Sequence, residues 1–132
     1  MMAENSPISL PRTLVNLLLR AAQLHPSQVR WGIISSREGN PEQCYPMNGS
    51  PRSETQAYGR LQETLSDEGE QVWALYCSAP ADSQASNADE VARFNAPRFL
   101  GISLGTKGVL QLRGWQIEDG QLWEREVAVR ED

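Results

Sequence analysis

The 132-residue chain holds two cysteines, Cys44 and Cys77, and one histidine, His25. Neither cysteine has another close to it in sequence, so there is no zinc knuckle and no disulfide framework, and each reads as a small buried hydrophobe. No apolar run approaches the ~20 residues that a membrane-crossing helix requires. The first eight residues show no basic stretch leading into an apolar one, as a secretory leader would. The expectation is a soluble, cytoplasmic protein with no membrane partner. Lys and Arg form no cluster, and the net charge of -5 gives a surface that on average repels phosphate backbones, which argues against a nucleic-acid partner. There is no internal repeat, linker or low-complexity tract. With 39% hydrophobic residues the chain has material for one ordinary domain around one core.

What is present alternates between helical and extended patterns. Ser9, Leu10 and Pro11 carry a capping and a first-turn signal, and Leu14, Leu17, Leu18, Ala21 and Ala22 follow at helical spacing, which predicts a helix over 10–23. His25-Pro26 closes it, because a residue before proline resists the α conformation. His25 itself reads as a structural residue near the last helical carbonyls. Residues 29–36 and 43–47 then predict a hairpin around the turn at 37–40. Ser53-Glu54-Thr55-Gln56 has the form of a capping box, with Tyr58, Leu61 and Leu65 on one face and Gly69 at the stop, giving a second helix over 53–68.

The near-continuous apolar run at 71–77 predicts a strand buried on both faces and therefore central. Residues 78–88 have loop composition and lead to a short helix over 88–94. Three more strands are expected at 98–104, 109–117 and 121–129, the last two joined by Asp119-Gly120. Trp31, Trp73, Trp115 and Trp123 all fall in these strands, where burial is the usual reason for an aromatic residue. The fold class is α/β: one domain over 9–129 with a curved mixed sheet, two main helices and one short helix, and flexible ends at 1–8 and 130–132.

Some motifs dissolve on inspection. Gly101-Ile102-Ser103-Leu104-Gly105 spells the nucleophile elbow of α/β-hydrolases, yet a turn into another strand follows where a helix is needed, and the sole histidine lies upstream. Two glycines in and after a strand explain the spacing. Asn48-Gly49-Ser50 matches a glycosylation acceptor, but a chain expected to be cytoplasmic would not use it.

The informative segment is Ala74-Leu75-Tyr76-Cys77-Ser78-Ala79-Pro80, followed after a short gap by Asn87-Ala88-Asp89-Glu90. Here the chain resembles the JAB/MPN (JAMM) metallopeptidase family, especially its small bacterial branch, which places His-Ser-His-Pro at the end of a buried strand and Ser-x-x-Asp at the start of a short helix. The likeness runs collinearly over most of the chain. It includes Leu10-Pro11-Arg12, Gly32-Ile33-Ile34, Tyr45-Pro46-Met47-Asn48, Gly69-Glu70, Ile102-Ser103-Leu104, Gly108-Val109-Leu110 and Gly114-Trp115.

In that family two histidines and an aspartate hold zinc, a glutamate takes a proton from the zinc-bound water, and a serine stabilises the oxyanion. Carried across, the glutamate position, three residues before Gly32, falls on Val29. The histidines fall on Cys77 and Ala79, flanking Ser78; the serine falls on Asn87 and the aspartate on Glu90. Val29 accepts no proton and Ala79 binds no metal, so at most Cys77 and Glu90 remain as ligands, one short of a catalytic set.

The resemblance thus implies a member with its zinc site dismantled: no cofactor, no catalytic residue, and a binding or scaffolding role. A groove near Val29, Cys77, Ser78, Ala79, Asn87 and Glu90 is its candidate site. By the same resemblance its partner is the tail of a ubiquitin-like β-grasp protein such as a sulfur carrier, or another MPN-domain chain. Two rival readings stand beside it. One is a zinc-dependent isopeptidase with a rearranged site, drawing on Asp82 or Asp89. The other is a thiol function at Cys77, which lacks a sequence neighbour to lower its pKa.

Overall fold

A computed structural model describes residues 7–24, 29–47, 49, 54–79, 84–91, 96–104 and 109–131. The elements, in chain order, are β1 (Ile8–Pro11), α1 (Arg12–Leu24), β2 (Arg30–Arg37), β3 (Asn40–Met47), α2 (Thr55–Asp67), β4 (Gln71–Ser78), α3 (Gln84–Val91), β5 (Arg98–Leu104), β6 (Leu110–Glu118), β7 (Gln121–Arg125) and β8 (Val127–Arg130). Six strands form one mixed sheet in the order β3-β2-β4-β5-β6-β7, and β1 and β8 form a separate parallel pair. β4 lies in the interior of the sheet, antiparallel to β2 and parallel to β5, as its apolar run predicts.

One apolar cluster lies on each face of the sheet. On one side α1 and the β1–β8 pair bring Leu10, Leu14 and Leu18 against Ile34, Ala74, Tyr76, Leu100 and Ile102. On the other, Tyr58 and Leu65 of α2 and Ala88 and Val91 of α3 meet Ile33, Leu75, Cys77 and Phe99. A strand that serves both clusters needs apolar residues at both parities, and that explains why β4 shows no alternation.

β4 also carries a bulge. Ser35 pairs with Val72 and Ile34 with Ala74, so Trp73 has no opposite number on β2. The extra residue slips the alternation by one: Val72 packs toward α2, Trp73 and Ala74 both belong to the α1 side, and from Leu75 onward the odd residues face α2 and α3. The bulge is held from the neighbouring strand. Arg98 donates from Nη1 to the Trp73 carbonyl at 3.2 Å and stacks its guanidinium 4.5 Å from the centre of the Trp73 ring. A polar clasp closes the same end of the sheet. Buried Glu70 accepts a hydrogen bond from the Ser35 hydroxyl at 2.6 Å, and Arg37 lies 3.6 Å from its other oxygen.

Two glycines are dictated by close approach. The Tyr76 ring lies where a side chain on Gly32 would sit, which locks β2 against β4. A Cβ on Gly114 would stand 2.8 Å from Ile8 and 2.9 Å from Val127, so this bare backbone is what lets the β1–β8 pair settle on the sheet.

Several expectations are corrected. Residues 8–11 form β1 rather than a frayed end and a helix start: Ile8 and Leu10 are buried, and their partners lie more than 115 residues away on β8. The expected strand over 121–129 is two strands in two sheets, parting at Glu126. The short helix runs Gln84–Val91, earlier than the expected 88–94. The residue capping α2 is Glu54, with no side-chain hydrogen bond, in place of the expected capping box; Ser53 lies outside the described residues, as do His25 and Asn48. Trp31, Trp73 and Trp115 are buried, but Trp123 is 46% exposed, and Leu17 of the predicted apolar face is also exposed. Among the described residues no helix is long and apolar enough to cross a membrane.

The clasp of Arg98 on the bulge is testable. Arg98→Met keeps the length of the side chain but removes both the charged hydrogen bond and the ring contact, and should lower unfolding free energy by about 2 kcal/mol. Urea denaturation of the two proteins checks this; an unchanged midpoint would show that the bulge holds itself.

Candidate functional site

The six sequence-derived positions come from three stretches of chain, and the fold brings most of them to one end of the sheet. The β2–β4 register pairs Trp31 with Cys77 and Arg30 with Ser78, which sets Val29, just before β2, across from Ala79, just after β4. Gly32 and Tyr76 fix that register through the close approach described above. Asn87 and Glu90 lie one turn apart on α3, the helix that packs over this part of the sheet through Ala88 and Val91.

The bulge decides which way the site residues point. After it, Cys77 and Ala79 fall on the α2–α3 face, in the same cluster as Trp31, Ala88, Val91 and Phe99. Ser78, between them, projects to the opposite face by strand alternation, so it does not join the others although it is buried. Ala79 continues the ladder to β5, donating its N–H to the Ile102 carbonyl at 2.9 Å. An aromatic row crosses the floor: Trp31 and Phe99 rings stand 6.0 Å apart, and Phe99 and Trp115 rings 5.5 Å.

Cys77 is wholly buried in this apolar setting. Burial pushes its thiol up to about 12, and the half-buried Cys44 thiol is pushed up to about 12 by the same cause. Both are neutral near pH 7, the state in which a thiol is neither a good nucleophile nor a metal ligand. Glu90 is half-buried.

These residues do not suit a catalytic zinc. Ala79 offers no donor atom, Cys77 is a neutral thiol inside the core, and among the described residues no three His, Cys, Asp or Glu side chains converge. Val29, at the place where a proton acceptor would be required, is an exposed aliphatic side chain. What converges here is apolar packing.

Sequence reading singled out Val29 for its place in the JAMM resemblance, not for its exposure, and it did not single out Val109. Val29 is 55% exposed, and Val109, just before β6, is 63% exposed. β2 begins, and β4 and β5 end, at this edge, while antiparallel β6 begins there. The signal was available in principle: each is a large aliphatic residue at the border of an element, where turn residues are the norm.

No protein-family model and no curated protein sequence matches the chain. Solved structures do. A protein from Desulfitobacterium hafniense, known from its solution structure, is 21% identical, with a TM-score of 0.62 over 95% of this chain and 94% of that one. The crystal structure of a JAB1/MPN domain protein from Archaeoglobus fulgidus is 13% identical, also with a TM-score of 0.62, over 94% of this chain and 100% of that one. Near-complete coverage of both chains leaves little of either fold unmatched, and the mixed sheet between α1 and the α2–α3 pair is thus a JAB1/MPN fold.

Proposed function

We propose that this chain is a non-catalytic protein-binding module on the JAB1/MPN fold. The observation that carries the reading is the placement of Cys77 and Ala79 inside the apolar cluster beneath α3. Groups that must meet water and a metal cannot be replaced by wholly buried, uncharged side chains and still perform hydrolysis. The apolar rim beside them, with Val29 and Val109 exposed, is suited to holding another chain. The resemblance to JAMM proteins points to the extended C-terminal tail of a ubiquitin-like β-grasp protein as that chain, bound here and left uncut.

The binding test uses a β-grasp sulfur-carrier protein, whole and with its last residues removed, titrated calorimetrically against this protein. The whole carrier should bind, the shortened one should not, and Val29→Asp with Val109→Asp should weaken binding at least about tenfold by placing unpaired charge in the contact. Equal binding of both carriers would sink the tail assignment.

A second outcome concerns metal. The parent protein should take up no stoichiometric zinc. The combined substitutions Val29→Glu, Cys77→His, Ala79→His, Asn87→Ser and Glu90→Asp should create zinc affinity by supplying two imidazoles, a carboxylate and a base around one point. Metal titration of both proteins is the readout. A folded quintuple variant with no better affinity than the parent would refute the assignment of these positions.

The thiol reading makes the opposite demand on Cys77. Native protein at pH 8 should react with a disulfide reagent far more slowly than unfolded protein, since burial pushes both thiols up to about 12 in the folded state. The raised values also carry a stability sign. The folded state holds these protons more tightly, so their contribution is complete below the ordinary thiol range and is lost as pH climbs from about 8.5 toward 12. Fast labelling of Cys77 in native protein would restore the thiol function as a candidate.

A further inference from the structure

The two edges of the six-stranded sheet differ in chemistry. β3, at one edge, contains Pro41 and Pro46, which remove backbone donors and discourage a further strand. β7, at the other, has the sequence Gln-Leu-Trp-Glu-Arg without proline, and it carries Trp123, 46% exposed. We infer that β7 is a self-association edge, on which a second copy of this chain pairs its own β7 antiparallel across a two-fold axis at Trp123. The inference is independent of the binding role given to the sheet end.

The available backbone groups follow from the hairpin. Asp119 and Gly120 both have positive φ, 53° and 77°, so the two-residue turn makes Glu118 and Gln121 a hydrogen-bonded pair. Alternation along the ladder then turns the N–H and C=O of Gln121, Trp123 and Arg125 toward β6, and those of Leu122 and Glu124 toward the open edge. The Glu124 carbonyl accepts a hydrogen bond from the neighbouring Arg125 guanidinium, at 3.2 Å on the exposed surface, a contact that opens easily.

One symmetric register uses all of these groups. Centred on Trp123, it pairs Leu122 with the second copy's Glu124 and the reverse, which gives four backbone hydrogen bonds and sets the two Trp123 side chains opposite each other in a non-hydrogen-bonded pair. Side chains approach most closely in such a pair, and an aromatic pair gains most there. Gln121 then faces Arg125, a neutral amide against a cation. Centring on Glu124 instead would oppose two like charges, and centring on Leu122 would run the pairing into the Asp119-Gly120 turn. Glu124 also forms a two-pronged ion pair with Arg113 of its own chain, at 2.8 and 2.9 Å on the face away from Trp123, which links β7 to β6. The edge is short, so the dimer is weak, with a dissociation constant on the order of 10–100 µM.

The full chain is examined by sedimentation velocity over a wide concentration range. The parent should show a monomer–dimer equilibrium, and Trp123→Lys, an exposed change that opposes two charges at the axis, should weaken it at least about tenfold. In a Cys44→Ser background, Trp123→Cys should cross-link into a dimer under mild oxidation, because Cα atoms of such a pair lie about 4.5 Å apart, within disulfide reach. Gln121→Cys, far from its own copy in this register, should stay monomeric. A parent that is monomeric throughout, an unaffected Trp123→Lys dimer, or equal cross-linking of the two cysteine variants would each overturn the inference, the first leaving the edge to a different extended partner.

Discussion

The bulge at Trp73 is the constraint on which the rest of the arrangement depends. β4 lies inside the sheet and feeds both cores, so every one of its side chains is assigned to a face, and a single extra residue reassigns all those after it. Had alternation run unbroken from Val72, Cys77 and Ala79 would face α1. With the bulge they face α3 and meet the residues that the JAMM resemblance sets beside them. Arg98, on the adjacent strand, satisfies the carbonyl that the bulge leaves over and covers its ring. Burial lowers the pKa of this guanidinium, the expected cost of placing a cation so close to a core.

Around that strand the chain is packed with apolar side chains. A zinc site is a polar, partly solvated hole in a core, and its ligands must be buried enough to be held yet open enough for water. Here the positions that the resemblance sets as ligands hold a neutral thiol and a methyl group, with Val91 and Ala88 of α3 in the same cluster. Apolar side chains at these positions carry no desolvation cost of the kind a buried metal site does, and they join α3 to the sheet. The surfaces on which the proposed binding roles rest are the apolar sheet end and the β7 edge.

Much of this was legible in the sequence because its signals are local. The helical spacing of Leu14, Leu18 and Ala22, the apolar run of β4, the Asp119-Gly120 hairpin and the collinear JAMM-like series each sit within a few residues or in fixed order along the chain. β1 was not legible. A four-residue strand with only Ile8 and Leu10 as its signal is indistinguishable from a helix lead-in until its partner, β8, arrives from the far end of the chain. The parting of β7 from β8 escaped for the same reason, since Gly114 can be seen as a landing place for Ile8 and Val127 only when all three are together. The α2 cap shows the weakness of a motif read alone, for the helix starts at Thr55 with no side-chain cap.

The sequence by itself carries the JAMM resemblance, and by that resemblance Val29 stands where the family has a base and Ala79 where it has a ligand. A side chain without a donor atom lacks one in any fold. Tertiary structure alone decided that Cys77 and Ala79 face α3, that Ser78 turns to the opposite face, and that Val29 and Val109 emerge at one end of the sheet. Those facts depend on the strand register and on the phase slip at Trp73. Both are settled by contacts between residues far apart in sequence, where the packing of two cores outweighs any local preference.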